Sequence, residues 1–311
     1  MTDKRFFVRT SVDIALRLDL LSEVHGIQKA EKYFNNIPQN FRVLEVYGAL
    51  LNCYVRAKSV EKAEALMQKM RDLGFAKNSL NYNNMLSLYR QTGNFEKIDM
   101  LVHEMEENGI AFDNFTFNLL LSAYAAVSDI QGMEKIITKM ESGTKIALND
   151  TSYSAAATGY TKAGLLDKAL EMLKKSETLI TSKGRSKAYE ILITQYAAIG
   201  KTDEVLRIWE LYKKEEKVYN KGYVCIIPSM LKFDDIETAE KIFEEWECRN
   251  LSYDIRIPNF LIGAYCRKGL LGSAETLVDR VVSKGGKPNA FTWYYLATGY
   301  LQNDELLKLW K

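Results

Sequence analysis

Histidine is nearly missing from this chain, cysteine and proline are scarce, and neither sign of charge is in surplus. The two histidines, His25 and His103, do not make a metal site. His103 opens a His-Glu-Met-Glu-Glu run that lacks the second histidine of a zinc protease. No H-x-E is accompanied by a C-x-x-C pair, so deaminase chemistry is excluded as well. Cys53, Cys225, Cys248 and Cys266 have no ligand-like spacing. A disulfide framework is not expected in so large and apolar a chain, and a reducing compartment fits better. No phosphate-binding glycine loop is present, since Gly285 and Gly286 fall at the close of a helical segment. No apolar run approaches the roughly 18 residues of a membrane span. Lys4, Arg5 and Arg9 open a segment too short and too poor in serine for a whole transit peptide, so any targeting segment is expected to have been removed. With 42 Lys+Arg against 40 Asp+Glu the net charge is +2. Nucleic acid would therefore have to meet charge gathered on one face. The expectation is a protein that is no enzyme, with no cofactor, metal, membrane anchor or small-molecule substrate.

What the chain does have is a period. Val46–Tyr54, Asn81–Tyr89 and Thr116–Tyr124 repeat one pattern. Tyr47, Tyr82 and Phe117 are spaced by 35, as are Tyr54, Tyr89 and Tyr124, and Met70, Met105 and Met140. Repetition on this scale marks stacked supersecondary units. The register places repeats at 44–78, 79–113, 114–149, 150–185, 186–219, 220–254 and 255–289. A worn repeat at 11–43 precedes them, a partial one at 290–311 follows, and 1–10 is an N-terminal segment. The eleventh column reads Tyr54, Tyr89, Tyr124, Tyr160, Tyr196, Met230, Tyr265 and Tyr300. The fifteenth holds a turn: Lys58, Gly93, Ser128, Gly164, Gly200, Asp234, Gly269 and Asp304.

Within a repeat the apolar spacing is helical on both sides of that turn. Leu50, Leu51, Tyr54 and Val55 make one stripe, and Ala63, Leu66, Met67 and Met70 another. Each repeat is thus two antiparallel helices of about three turns. One hairpin cannot bury both stripes, but stacked neighbours can. The predicted fold is all-α, a right-handed α-solenoid superhelix of about eight to nine helix–turn–helix repeats. The Tyr and Met columns are read as core.

Tetratricopeptide arrays differ in placing a glycine inside the first helix and a proline near the end of each unit. Here the recurrent glycine lies between the helices, and only Pro288 is pre-terminal. Tyr82-Asn-Asn-Met-Leu, Gly93, Met105-Glu-Glu-Asn-Gly109, Asp113, Ala264-Tyr-Cys-Arg-Lys-Gly269 and Gly286-Lys-Pro-Asn289 resemble the pentatricopeptide repeat. The likeness covers roughly residues 11 to 311 and is to the plain, P-type subgroup of plant organelles. It implies a groove lined by first helices that takes single-stranded RNA, one base per repeat.

The resemblance also implies roles for particular columns. A residue just after the first-helix aromatic, with the repeat's closing residue, meets the Watson–Crick edge of one base. The pairs are Gly48/Asn78, Asn83/Asp113, Asn118/Asn149, Ser154/Arg185, Glu190/Tyr219, Val224/Asp254 and Asn259/Asn289. Asn83/Asp113 matches the uridine-reading pair, and Asn118/Asn149 and Asn259/Asn289 resemble pyrimidine-preferring pairs. The other four depart from the pattern, and Glu190/Tyr219 sets an anion where a base edge is due. Leu80, Phe115, Thr151 and Phe291 can pack on base faces, whereas Glu45, Lys187, Lys221 and Arg256 break that column. Phe115 and Phe291 are the strongest stackers. Arg56, Lys162, Lys232 and Arg267, at the exits of first helices, can track phosphates. The asparagines could instead bond an adjacent repeat, and the basic residues could simply suit the helix dipole.

The implied function is an organellar RNA-binding protein acting in RNA processing, stability or translation, in mitochondria or chloroplasts. The alternative is a structural component of the mitochondrial ribosome, held by rRNA and ribosomal proteins. A peptide-binding scaffold is a third reading, but no Lys/Arg–Asn carboxylate clamp supports it.

Overall fold

The computed structural model describes residues 10–142, 149–249 and 251–303. Residues 1–9 of the expected N-terminal segment, and 304–311 of the last partial repeat, lie outside them. Among the described residues there are seventeen α-helices, one 3-10 turn at Gln39–Phe41 and no strand. The chain divides into two compact units, 1–148 and 149–311. The first holds α1 (Ser11–His25), α2 (Ile27–Asn35), α3 (Leu44–Arg56), α4 (Val60–Asp72), α5 (Ser79–Thr92), α6 (Glu96–Glu107), α7 (Asn114–Ala126) and α8 (Ile130–Glu141). The second holds α9 (Asp150–Lys162), α10 (Leu166–Thr178), α11 (Arg185–Ala198), α12 (Thr202–Glu215) and α13 (Asn220–Lys232). It continues with α14 (Ile236–Cys248), α15 (Arg256–Arg267), α16 (Leu271–Ser283) and α17 (Ala290–Gln302).

Odd-numbered helices open a repeat and even-numbered ones close it. In the first unit α1 packs on α3, α3 on α5 and α5 on α7, each also against its own hairpin partner. In the second, α9, α11, α13, α15 and α17 pack in the same serial way. This is a solenoid of helix–turn–helix repeats. Its core is built from the predicted stripes: Tyr47, Leu51, Met67 and Met70 in one hairpin are almost wholly buried, as are Tyr82, Leu86, Ile98 and Met105 in the next. Each such burial contributes roughly 1.5–3 kcal/mol.

Two polar devices lock the period. The first is the tyrosine column, whose phenols donate to carboxylates on the closing helix of the preceding repeat. Tyr89 reaches Glu64 at 3.0 Å and Tyr124 reaches Asp99 at 2.6 Å. Tyr265 and Tyr300 bond Glu240 and Glu275 in the same manner. Burial, then the neighbouring carboxylate, pushes these phenols to high pKa, so they remain donors. The second device joins successive closing helices by ion pairs, such as the two-pronged Arg71–Glu104 contact (2.6 and 2.8 Å) and Lys139–Glu106.

The turn column has a backbone reason for its glycines. Gly93, Gly164, Gly200 and Gly269 all have positive φ, between 72 and 76°. Lys58, Ser128 and Asp234 adopt the same left-handed conformation at φ 52, 57 and 63°. The turn is therefore dictated by the stacking, and non-glycine residues there bear a conformational cost. A Cβ on Gly200 would meet nothing within 4 Å, so only the backbone opposes it. Gly200→Ala is expected to destabilise by about 1–2 kcal/mol. Gly272→Ala, in equally open space within α16, should be neutral or stabilising by up to about 1 kcal/mol. Urea unfolding of the two variants checks this, and equal losses at both sites would refute the backbone explanation.

Candidate nucleic-acid interface

The opening turns of the odd-numbered helices carry the residues picked out by the repeat columns. Their burial separates two rows. The second-column side chains Glu45, Leu80, Phe115, Thr151, Lys187, Lys221, Arg256 and Phe291 are all exposed. Among them Leu80, Phe115 and Phe291 are 64, 59 and 66% exposed.

The asparagine row is different. Asn83 and Asn259 are 2 and 5% exposed, and each is bound to the cap of the following repeat. Asn83 Nδ2 donates to both carboxylate oxygens of Asp113 at 3.3 Å, and Asn83 Oδ1 accepts from Thr116 Oγ1 at 2.8 Å. Asp113 is itself the N-cap of α7, accepting from Thr116 N at 2.7 Å, and Ser79 Oγ adds a bond at 2.6 Å. The same set recurs at Asn259, Asn289 and Thr292: Asn259 donates to Asn289 Oδ1 at 3.1 Å and accepts from Thr292 at 2.7 Å. Asn289 caps α17. Thus the two residues of each pair touch, with the closing residue, Asp113 or Asn289, the more exposed member. Asn149 caps α9, accepting from Ser152 N at 2.9 Å, while Asn118 lies half-buried on α7. Sequence reading missed the third member, Thr116 or Thr292. Its signal was the capping spacing, Asp113-x-x-Thr116 and Asn289-x-x-Thr292.

Clefts open beside the odd-numbered helices within each unit. In the first unit one of about 530 Å³ is lined by Asp19, Glu45, Gly48, Asn52, Asn78 and Leu80. In the second, one of about 800 Å³ is lined by Ser186, Lys187, Glu190, Tyr219, Asn220 and Lys221. A smaller one, about 220 Å³, brings Lys232 and Arg267 beside Asn259, Phe260 and Tyr295. All four predicted phosphate contacts, Arg56, Lys162, Lys232 and Arg267, are exposed. Arg56 is tied to Asp19 at 2.9 Å. Its partner is a carboxylate that a phosphate would have to displace. Among the described residues no cluster of His, Cys, Asp or Glu could hold a metal, and no helix is long and apolar enough to cross a membrane. All four cysteines are free thiols.

Burial acts to raise the pKa of Asp113, but the bonds from Ser79, Thr116 and Asn83 outweigh it and hold the carboxyl below the usual aspartate range. A folded-state value below the unfolded one means the anion stabilises the fold above the ordinary value of 3.8. That stability is lost as pH falls through the lower, folded value. Asp113→Asn, which copies the Asn289 arrangement, should lower stability at neutral pH by about 1 kcal/mol. The gap from the parent should begin to narrow below about pH 4 and close as pH falls past the lower, folded value. Urea melts at neutral pH and near pH 3 test it; a pH-independent gap would contradict the assignment.

Known families share this repeat pattern. A model described as PPR repeat family matches residues 77–126, and one described as PPR repeat matches 45–75, 115–143, 151–178 and 258–286. A mitochondrial pentatricopeptide repeat-containing protein of Arabidopsis thaliana is 45% identical over 308 residues, 99% of this chain and 63% of its own length. Another pentatricopeptide repeat-containing protein of that plant is 52% identical over 298 residues, 96% of this chain and 56% of its own. The Arabidopsis thaliana large ribosomal subunit protein mL101 is 47% identical over 307 residues, 98% and 62% respectively. The chain thus spans between 56 and 63% of these relatives' lengths. The crystal structure of the pentatricopeptide repeat protein PPR10 with an 18-nucleotide psaJ RNA element superposes with a TM-score of 0.73 over 98% of this chain and 50% of that one. At 17% identity it shares the fold. Matching columns, matching hairpins and relatives alike along nearly the whole length lead to one statement: this chain belongs to the pentatricopeptide repeat family.

Proposed function

We propose that the chain binds single-stranded RNA along the face of its odd-numbered helices, and serves organellar RNA processing, stability or translation. The observation that carries this is the pairing of two rows: exposed Phe115 and Phe291 each stand two residues after a pre-formed polar cap, Asp113 and Asn289. A ring for the base face and a fixed polar group for the base edge are what recognition of an unstacked base requires. The networks divide the labour. Asn83 and Asn259 are buried and hold the closing residue in place, while the closing residue meets the base. Asp113 presents an acceptor, which suits the N3–H of uracil. Asn289 uses its oxygen on Asn259 and on the start of α17. Its amino group then suits the N3 and O2 acceptors of cytosine. Lys162, Lys232 and Arg267 supply phosphate contacts. A mitochondrial setting is supported by the relative whose name places it there.

The 47% identity to a large ribosomal subunit protein favours one second reading, a component of the mitochondrial ribosome contacting rRNA and ribosomal proteins. Absence of the tagged protein from the large-subunit fraction on a sucrose gradient would remove it.

Phe115→Ala and Phe291→Ala should each weaken RNA binding by about 1–3 kcal/mol and leave thermal stability unchanged, because both rings are already in water. Fluorescence anisotropy with poly-U, poly-C and poly-A is the measurement, pyrimidine tracts binding more tightly. Undiminished binding by both variants would sink the stacking role.

A further inference from the structure

The cleft of about 800 Å³ in the second unit belongs to a repeat whose pair departs from the family pattern. Glu190 stands on α11 in the column that Asn83 and Asn259 occupy in their repeats. Tyr219, the closing residue, stands at the N-cap position of α13 with no side-chain bond to the helix, and is 56% exposed. Both line the cleft of about 800 Å³, with exposed Lys187 and Lys221 beside them. Tyr212 O–H donates to Glu190 Oε1 at 3.2 Å. That bond fixes the carboxylate and leaves Oε2 free to accept, with lone pairs to spare on both oxygens. Lys217 lies 5.3 Å from the centroid of the Tyr219 ring. Among the described residues neither Lys187 nor Lys221 is neutralised by a salt bridge.

We infer that this cleft is a guanine-selective subsite, in which the Glu190 carboxylate takes the base edge, Tyr219 stacks on its face and Lys187 and Lys221 hold the flanking phosphates. The chemistry selects one base. A fixed carboxylate only accepts, and guanine alone offers two adjacent donors, N1–H and N2–H, on its Watson–Crick edge. Uracil offers a single N–H between two carbonyls. Cytosine and adenine turn a ring-nitrogen lone pair toward the anion. Two parallel N–H bonds to an ionised carboxylate are short and strong. The lysines offset the repulsion between that carboxylate and the RNA backbone. What looks like an eroded pair is then one whose carboxylate stands in the Asn83 column, with an aromatic ring at the closing position.

This inference rests on the RNA-binding reading, and the experiment separates the two. Anisotropy titrations of the 311-residue chain would use short uridine tracts carrying one central guanosine, inosine, adenosine or cytidine. Guanosine should bind about tenfold tighter than adenosine or cytidine. Inosine, which keeps N1–H and lacks the 2-amino group, should lose most of that advantage without any change to the protein. Glu190→Gln keeps the side chain's size but turns one acceptor into a donor. It should abolish the guanosine preference, so that the guanosine, adenosine and cytidine tracts bind alike. Equal binding of all these RNAs, or a guanosine preference that survives inosine substitution or Glu190→Gln, overturns the guanine subsite and leaves RNA binding standing. No binding to any of them overturns both.

Discussion

A helical hairpin of this length has an apolar stripe on each flank and buries neither alone. Every other feature of the molecule follows from that deficit. Neighbouring hairpins must supply the missing surface, so the contacts that stabilise one repeat are made by residues of the next. Tyr47, Leu51, Met67 and Met70 are buried, and the Tyr47 ring packs on Phe34 of the preceding repeat and on Phe75 of its own. Apolar cover alone would permit sliding. The tyrosine phenols, each bonded to a carboxylate of the preceding closing helix, permit only one register, since a slip would leave a half-buried carboxylate without its donor.

The same requirement shapes the candidate site. Each odd-numbered helix needs its first backbone N–H groups satisfied. Asp113 and Asn289 do this for α7 and α17. Asn83 and Asn259, from the preceding repeat, then hold those caps. A polar group that folding needs is thereby aimed at the face that ligand would meet, and it is fixed before ligand arrives. Fixing it in advance reduces the ordering cost of binding. The Glu190 repeat runs on the same scaffold with another donor, since Tyr212 holds the carboxylate. On the proposed reading, a change of one side chain on this frame changes which base edge it suits.

Parts of this were legible in the residues and parts were not, for reasons that differ by position. Tyr54, Tyr89 and Tyr124 could be read as core because burial of an aromatic leaves a period. Their carboxylate partners could not, because Glu64 and Asp99 sit among many other acidic residues on helix faces. The turn column was visible through Gly93, Gly164, Gly200 and Gly269. Lys58, Ser128 and Asp234 were recognisable there only by alignment to those glycines, and their left-handed backbone emerged from the packing. The second column reads as a mixed row, yet nothing in the letters says that Phe115 lies in water while Phe117 is wholly buried.

Periodicity was enough to determine the hairpin, its length and the stacking of like on like, because burial of apolar surface depends on pattern more than on individual partners. The order of residues also carried the cap spacings. Only the tertiary structure decided that Asn83 and Asn259 spend their amides on the next repeat, and that Glu190 and Tyr219 share one cleft with two lysines. Hydrogen bonds are directional and short. Which side chains meet across some thirty positions of chain is therefore settled by where stacked helices place them, a matter the linear period cannot express.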